Sequence, residues 1–289
     1  MTVERMIPDF TSYPWSSAGA AFNRIAQDYD QIFTDSLIGR AQRDAVWKVL
    51  TRTFRKGDEV LELNCGTGED AIFLAGKGIS IFALDASRQM IARAEHRLQR
   101  NSAQIPVVFC ELPTERIGEL HPETQYDGAF SNFSGLNCVA DLGAVASSLG
   151  GLVKPGGRLV LCFSTRFCLI EMLYYLALGQ WRKALRRCKG SAQVMLDGVQ
   201  FTVYYPTLRG ICESFAPDFR LYFCTGIGVT VPPSYFEPWA RRHPRLFLLL
   251  RRLGEQLATL PILRSSGDHV LLCFEKVSPD DCCANGCNW

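Results

Sequence analysis

A glycine-rich turn is the part of the sequence whose residue types and spacing most clearly suggest chemistry. In "VLELNCGTGEDA" (60–71), the pattern Gly66-x-Gly68-x-x-Ala71 follows an apolar run and precedes a helix-like segment. Glycines let the backbone approach a ligand closely, and a helix N-terminus offers it N–H groups. The turn is typical of a dinucleotide site, of a site for another nucleoside cofactor, or of a plain strand–helix connection.

Two acidic residues near the turn narrow the ligand class. Asp85 ends the next apolar run, where a ribose-binding carboxylate is expected. Glu62 lies inside the first run, four residues before Gly66, where a pyrophosphate gains nothing from another negative charge. More than fifty residues precede this run, whereas a dinucleotide domain tends to start near its first strand. The pattern favours a phosphate-free nucleoside cofactor, with an NAD-dependent oxidoreductase as an alternative.

The elements that position these residues alternate between strand and helix. Short buried runs separated by helical segments predict an α/β fold with a doubly wound, Rossmann-like parallel sheet. Helical spacing covers 18–50, and the predicted strands are 60–63, 80–85, 106–112, 126–133 and 158–163.

The regular alternation of strands and helices ends after the fifth strand. Two insertions are predicted beyond it, at about 165–206 and 230–265. The first holds one or two helices over 167–188 and a hairpin turning at Asp197-Gly198. A helix and a sixth strand ("FRLYFCTG") follow, and "DHVLLCFEK" predicts the closing strand. The second insertion has one helical face made of leucines: Leu246, Leu249, Leu250, Leu253, Leu257 and Leu260.

Four motifs together resemble the class I S-adenosylmethionine-dependent methyltransferase family of small-molecule type. They are "VLELNCGTGEDA", "ALDASRQMIARAE", "YDGAFSNFSGLNCV" and "LVKPGGRLVLCF", in that order within residues 20–165, and "AFNRIAQDYDQIF" resembles the segment over the cofactor. The resemblance implies a seven-stranded mixed sheet closed by an antiparallel strand. The predicted division is an N-terminal lid (1–50), a cofactor-binding core (51–165), a cap (166–206), a core completion (207–277, containing 230–265) and a cysteine-containing tail (278–289).

The resemblance also implies S-adenosylmethionine as cofactor and S-adenosylhomocysteine as product. Glu62 would bind the methionyl amino group, Asp85 the ribose hydroxyls, and Ala86 and Met90 would border the adenine. Tyr29 would reach the carboxylate or the sulfonium. The other predicted cofactor contacts are Asn64, Cys65, Gly66, Gly68, Glu111, Leu112, Asn132 and Phe133.

The sequence departs from the family pattern at two places. Asn64 stands where a glycine is usual, and asparagine is the next most tolerant residue of positive φ, so the turn is expected to survive. Pro113 stands where an acidic residue usually reads the adenine amino group, which leaves Glu111 or Glu115 for that contact.

The sequence indicates the catalytic and acceptor-binding residues less clearly than the cofactor-binding residues. Positioning supplies much of the acceleration of a methyl transfer, and a base assists a neutral hydroxyl or amine acceptor by taking its proton. His269 is the candidate base, with a structural histidine as the alternative, and His243 is expected in a solvated loop. Asn132 or Asn137 would line the acceptor site. Tyr174 and Tyr205 belong to an aromatic cap that predicts a lipid-like or aromatic acceptor, or simply forms the core of the cap.

The tail "DDCCANGCNW" offers three thiols at Cys282, Cys283 and Cys287. Thiolates bind soft metals and would suit an arsenite-type methyltransferase, but no CxxC pair accompanies them. A loosely ordered end without metal is therefore expected.

Composition sets the remaining expectations. A net charge of +2 over 289 residues gives no basic excess for nucleic acid, and twelve scattered cysteines do not form a disulfide scaffold. Without a secretory or transmembrane segment, a cytoplasmic location is expected, and the oligomeric state stays open. Two basic clusters predict solvated helix faces or, alternatively, contact with an anionic membrane surface.

The expected function is methylation of a small molecule, and the alternative is a non-catalytic cofactor-binding sensor or scaffold.

Overall fold

A seven-stranded mixed sheet lies at the centre of the computed structural model, which describes residues 16–101, 105–121 and 124–277. Its strand order is β3-β2-β1-β4-β5-β9-β8; the first five strands along the chain run parallel, and β9 runs antiparallel to β5 and β8. The predicted fold class is confirmed, and the closing strand β9 lies inside the sheet while β8 forms its edge. The strands are β1 (Glu59–Leu63), β2 (Ser80–Asp85), β3 (Val107–Glu111), β4 (Tyr126–Ser131), β5 (Val153–Ser164), β8 (Phe219–Ile227) and β9 (His269–Lys276).

Both faces of this sheet are covered, which is why its strands read as continuous apolar runs rather than alternating ones. In β1, Val60 packs into the core on one face, while Leu61 and Leu63 pack into the core on the other. Helices α2 and α3 cover the first face, and α5 and α8 cover the second. The helices are α1 (Ser17–Ile25), α2 (Leu37–Thr53), α3 (Glu69–Ala75), α4 (Arg88–Gln99), α5 (Leu142–Leu152), α6 (Leu169–Ala177), α7 (Trp181–Ala184), α8 (Leu208–Phe215), α9 (Glu237–Arg242) and α10 (Pro244–Leu257).

The predicted N-terminal helical segment is divided into separate elements. After α1 the chain forms a π-helical turn (Asp30–Thr34) before α2 begins. The Ser36 hydroxyl accepts a hydrogen bond from the backbone N–H of Gly39, which caps α2. This break places Tyr29 in the connection between the two helices, above the central sheet.

A hairpin made of β6 (Ser191–Leu196) and β7 (Val199–Tyr204) forms a separate two-stranded sheet that packs on α1. Asp197 and Gly198 both have positive φ, 45° and 77°, as a two-residue hairpin turn requires. The predicted hairpin is confirmed, and its contact with α1 joins the cap to the N-terminal lid. The five-part division of the chain stays a prediction.

The helices of the two insertions are shorter than their sequence pattern suggests. The predicted helix over 167–188 is divided into α6 and α7, with Gly179 at φ 68° between them. In α10 the buried positions are Phe247 and Gly254, so much of the predicted leucine face is exposed. Among the described residues, no helix is both long and apolar enough to cross a membrane.

Candidate cofactor and acceptor site

A cleft lies at the carboxyl ends of the central parallel strands, where ligands bind in open α/β sheets. The turns after β1, β2 and β4 form its floor. Segments from α1, α2 and β7 form its walls. It is lined by Ala18, Gly19, Phe22, Tyr29, Arg43, Asn64, Cys65, Gly66, Thr67, Glu69, Asp70, Asp85, Ala86, Met90, Asn132, Phe133, Ser134, Gly135, Cys138, Phe201 and Val203.

The turn after β1 needs its glycines for two different reasons. Gly66 has φ 55°, and a Cβ there would meet only Tyr29, at 3.9 Å, so a side chain would project into the cleft. Gly68 has φ 75°, and a Cβ there would stand 2.7 Å from the Phe109 ring. The lack of a side chain at Gly66 therefore keeps the cleft open, whereas the lack of one at Gly68 lets the turn pack against the Phe109 ring. Asn64 adopts φ 57°, which confirms that it can replace the usual glycine.

Asp85 lies at one end of the cleft, held by two backbone donors. Its carboxylate oxygens accept hydrogen bonds from the N–H groups of Gly66 and Ser87, both at 2.8 Å. Burial raises the pKa of Asp85 to about 6, although these two donors act to lower it. Each carboxylate oxygen keeps a second lone pair, so the pair can still accept hydrogen bonds from ribose hydroxyls.

A buried polar cluster around Asp70 lies at the other end. One carboxylate oxygen of Asp70 is 2.7 Å from Nη1 of Arg43 and accepts the indole N–H of Trp47 at 2.6 Å. The other oxygen accepts the side-chain amide of Asn132 at 3.0 Å. The Arg43 guanidinium also lies 4.9 Å from the centre of the Phe133 ring, so α2, α3 and the turn after β4 meet here.

The sequence analysis missed Arg43 and Asp70. The available signal was helical position, since Arg43 falls on the same stripe of α2 as the buried Gly39, Val46 and Leu50. A charged residue on a buried stripe requires a partner. Here that partner is Asp70 on α3.

Three polar atoms beside this cluster have no hydrogen-bond partner within the described ranges: Oε2 of Glu62, Oδ1 of Asn132 and Nε of Arg43. Burial and the nearby Asp70 raise the pKa of Glu62 well above its usual range, while Arg43 acts to lower it. Buried polar atoms normally have partners. Two unpaired acceptors and one unpaired donor match the ammonium and carboxylate groups of an amino acid, so the residues fit S-adenosylmethionine.

The predicted cofactor residues divide into two groups. Tyr29, whose pKa burial raises to about 12, lines the cleft together with Asn64, Cys65, Gly66, Asp85, Ala86, Met90, Asn132 and Phe133. Glu62, Gly68, Glu111 and Leu112 are not among its lining residues. Leu112 is buried and donates its N–H to the Asp85 carbonyl at 3.0 Å, whereas Glu111 is exposed. The third strand therefore supports the Asp85 loop through its backbone.

Of the predicted acceptor residues, Asn132 lines the cleft, whereas Asn137, Tyr174 and Tyr205 do not. Asn137 is fully buried, donates to the Tyr204 carbonyl at 2.6 Å and accepts from the Ser164 N–H at 2.9 Å. Tyr205 is buried, and Tyr174 is exposed on α6. Instead, apolar side chains from α1 and β7 form the wall opposite the glycine turn: Phe22, Phe201 and Val203. Sequence reasoning assigned the hairpin to the cap without identifying these residues.

His269, the predicted base, is buried and does not line the cleft. Its ring meets the ring of Phe133, which does line the cleft, edge-on with centroids 5.8 Å apart. Burial lowers the pKa of His269, and Arg187 lowers it further, although Asp268 raises it. These contacts favour a neutral imidazole.

The predicted tail thiols Cys282, Cys283 and Cys287 lie outside the described residues. Within them, Cys168, Glu171 and Asp268 bring three potential metal-ligand atoms within 4.8 Å of one another. However, Nη2 of Arg187 lies 2.5 Å from Glu171 and 2.9 Å from Asp268. The guanidinium already compensates both carboxylates, so this cluster does not support a metal site.

The strand order of the sheet and the cleft at its carboxyl edge are those of the class I methyltransferase fold. Residues 61–159 match the family model described as a methyltransferase domain, which assigns this part of the chain to that family.

Curated relatives match about half of the chain. The chain is 30% identical over 147 residues to the demethylmenaquinone methyltransferase of Tropheryma whipplei, an alignment that covers 49% of this chain and 56% of that protein. The chain thus spans less than two thirds of that relative's length.

Solved structures share the fold at lower identity. The N1-methyltransferase for 1,6-didemethyltoxoflavin from Burkholderia thailandensis superposes with a TM-score of 0.58 at 15% identity, covering 94% of this chain and 95% of that one. The cyclase SpnF superposes with a TM-score of 0.61 at 15% identity, covering 91% and 97%. Because a protein named a cyclase has this fold, the fold alone does not define the reaction.

Proposed function

We propose that the protein transfers the methyl group of S-adenosylmethionine to a small hydrophobic or aromatic acceptor. The observation that carries the proposal is one cleft lined by the half-buried Asp85 carboxylate, by polar side chains beside unpaired buried atoms, and by apolar side chains of α1 and β7. S-adenosylmethionine supplies an electrophilic methyl group when it is bound.

The cofactor would be held by groups from four elements. Asp85 would accept the ribose hydroxyls, and Met90 would pack against the adenine. Glu62 and Asn132 would accept hydrogen bonds from the methionyl ammonium, and Arg43 would donate to the carboxylate. Because the ammonium would approach buried acceptors that now lack a donor, binding would favour the ionised form of Glu62.

The acceptor would lie between the cofactor and the wall formed by Phe22, Phe201 and Val203. This wall and the similarity to demethylmenaquinone methyltransferases make hydroxylated quinone-like rings the first class to test. The described cleft lining contains no histidine, and burial raises the pKa of the Cys65 thiol well above its usual range. Acceptors that ionise readily themselves, such as quinols and thiols, therefore suit the cleft. His269 beside Phe133 is the candidate base for an acceptor that does not.

We also propose that the protein acts in a reducing compartment such as the cytoplasm, without a nucleic-acid partner. All nine cysteines in the described ranges are free thiols, as is usual where thiols are kept reduced. The net charge of +2 gives no overall basic excess of the kind typical of proteins that bind nucleic acids.

Turnover with an acceptor panel tests the proposal. The purified protein is incubated with S-adenosylmethionine and demethylated naphthoquinols, phenols, thiols or short polar amines, and S-adenosylhomocysteine and methylated product are measured by mass spectrometry. Matched formation of both products from an apolar acceptor is expected. Cofactor binding without product from any acceptor would indicate a sensor or another reaction, and preference for short polar amines would contradict the acceptor class.

A further inference from the structure

Two helices of the insertions expose leucines at helical spacing. In α6, Leu169, Leu173 and Leu176 are exposed, and Leu173 is 58% exposed. In α10, Leu246, Leu249 and Leu253 are exposed, and Leu249 is 63% exposed. Further large apolar side chains are exposed nearby in sequence: Phe167, Leu178, Trp181, Leu185, Leu248, Leu260 and Ile262. We call these residues together the apolar cap surface. Isolated exposed leucines are ordinary, but a concentration like this one marks an interaction site.

Both helices are anchored on their opposite sides, so their apolar faces do not reflect missing packing. In α6, Glu171 is buried and paired with Arg187. In α10, Phe247 is buried, and Gly254 packs so closely on Thr230 that a Cβ would lie 2.6 Å from its hydroxyl. The fold therefore holds these helices in place and presents their leucines outward.

The two insertions also contact each other. The Tyr174 ring on α6 packs edge-on against Phe236, which precedes α9, with centroids 4.5 Å apart. The Leu169 N–H at the start of α6 donates to the Ser266 carbonyl after α10, at 2.9 Å. The two insertions that carry the exposed leucines are thus joined to each other by these contacts.

Positive side chains accompany the exposed leucines. Arg182 and Lys183 are exposed on α7 beside Trp181, and Arg245 and Arg252 are exposed on α10. Arg242 at the end of α9 is exposed as well. No carboxylate pairs with any of these five side chains within the part of the chain that the structure describes. Of the acidic residues in α6 and α10, Glu171 is paired with arginine, and Glu255 is paired with Lys48 and Arg251.

We propose that the apolar cap surface docks on an anionic lipid bilayer, with the leucines and Trp181 entering the interface and the arginines and lysine meeting the headgroups. Helices that lie in the plane of a membrane combine these two features, apolar anchors beside a cationic fringe. A second copy of the chain is a poorer occupant. A symmetric dimer places the same patch on both sides, and it would bring two unpaired cationic fringes together.

This inference is independent of the proposed reaction, because membrane binding can be measured without any methyl acceptor. The purified protein is sedimented with vesicles of phosphatidylcholine alone or of phosphatidylcholine mixed with phosphatidylglycerol. Binding to the anionic vesicles is expected, with weaker binding to the neutral ones and a decrease at high salt, because surface charges are screened.

Two double variants test the apolar and the cationic components of the surface separately. Leu249→Gln with Leu253→Gln removes apolar anchors, and Arg245→Gln with Arg252→Gln removes two charges. Each double variant is expected to weaken binding to anionic vesicles on the order of tenfold or more. The leucine variant loses apolar area that enters the interface. The charge variant loses two basic residues, each of which contributes a factor of roughly five near the surface. The charge control is Arg209→Gln with Arg220→Gln, exposed on α8 and β8. The apolar control is Met195→Gln, 64% exposed on the hairpin.

Circular dichroism and melting temperature establish that each variant is folded. Equal binding by wild type and both double variants would overturn the proposal, as would equal loss in the controls. Light scattering after gel filtration provides the other decisive outcome. A wild-type dimer that the leucine variant converts to a monomer, without vesicle binding, would assign the surface to a second copy instead.

Discussion

Asp85 combines two opposing demands at the scale of a single residue. Burial disfavours its charged form, and its pKa rises from the ordinary value of 3.8 to about 6. The proposed contact with the ribose hydroxyls needs that charged form, because a carboxylate offers them two acceptor oxygens. The site is thus built at some cost to the stability of the ligand-free protein near neutral pH.

We expect a pH dependence of cofactor affinity from this residue. Affinity should fall as pH decreases through about 6, because Asp85, which must be charged in the proposed contact, becomes protonated there. The contribution of Asp85 to the free energy of unfolding has the opposite sign and increases as pH falls from about 6 toward 3.8. Calorimetric titration with S-adenosylmethionine from about pH 8 to about pH 5 measures the first effect. A flat affinity over that range would contradict the role of Asp85.

Arg43 should be essential to the folded state because it neutralises the buried Asp70. Arg43→Met is expected to lower the free energy of unfolding by about 3–5 kcal/mol, the usual cost of leaving one partner of a buried pair alone. Arg40→Met on the same helix breaks only an exposed pair with Asp35 and should cost about 1 kcal/mol or less. Urea unfolding measures both. Combining Arg43→Met with Asp70→Asn should recover part of the loss, and no recovery would show that the pair is not the cause.

At the scale of elements, the cap is joined to the sheet through Arg187. This buried guanidinium contacts Glu171 on α6 and Asp268 beside β9. Burial opposes ionisation of Asp268, but Arg187, through its charge and a hydrogen bond, and Gln42, through a hydrogen bond, hold its pKa below the usual range. The cluster is therefore charged, and its integrity depends on the arginine.

Replacing Arg187 should loosen the cap. Arg187→Met is expected to cost about 3–5 kcal/mol, because it leaves two buried carboxylates without their shared cation. Arg186→Met is the matched control, since Arg186 also contacts Glu171 but is partly exposed. Urea unfolding, together with limited proteolysis within 166–206, measures the effect. Equal stability of the two variants would contradict the anchoring role.

The hairpin should affect the acceptor rather than the cofactor. Phe201→Ala removes an aromatic side chain from the apolar wall of the cleft. The centroid of the Phe201 ring lies 6.1 Å from that of the Phe22 ring. We expect a KM for the methyl acceptor raised on the order of tenfold, with cofactor affinity within about twofold of wild type. Gln200→Ala, exposed next to it, is the control. A larger loss of cofactor affinity than of acceptor affinity would assign the wall to the cofactor.

The elements also show what could be predicted from the sequence. The glycine turn and the Asp197-Gly198 hairpin depend on local backbone conformation, so a few adjacent residues predict them. The partnership of Arg43 with Asp70 and the wall formed by Phe22 and Phe201 depend on contacts between distant segments. Periodicity places such residues on a face of an element but does not identify the opposite face. Asn137 illustrates the same limit, because its amide bonds the backbone of Ser164 and Tyr204 instead of facing the cleft.

At the scale of the whole molecule, the central sheet supports both the cleft and the insertions that expose the leucines. The carboxyl ends of its parallel strands form the cofactor cleft, and the cap insertions add both the apolar wall and the exposed leucine faces. A lipophilic acceptor residing in a bilayer would be accessible to a protein that docks through its cap. The acceptor class and the docking surface are therefore mutually consistent, although each has its own test.

The central claim is that the cleft binds S-adenosylmethionine through carboxylates on β1 and β2, and calorimetry tests it most directly. Wild-type protein should bind one S-adenosylmethionine per chain, S-adenosylhomocysteine should compete, and NAD should not. Asp85→Asn should weaken binding at least about tenfold, the value of a charged hydrogen bond, whereas the exposed control Asp28→Asn should leave it unchanged. Absence of binding to S-adenosylmethionine, or its displacement by NAD, would contradict the account.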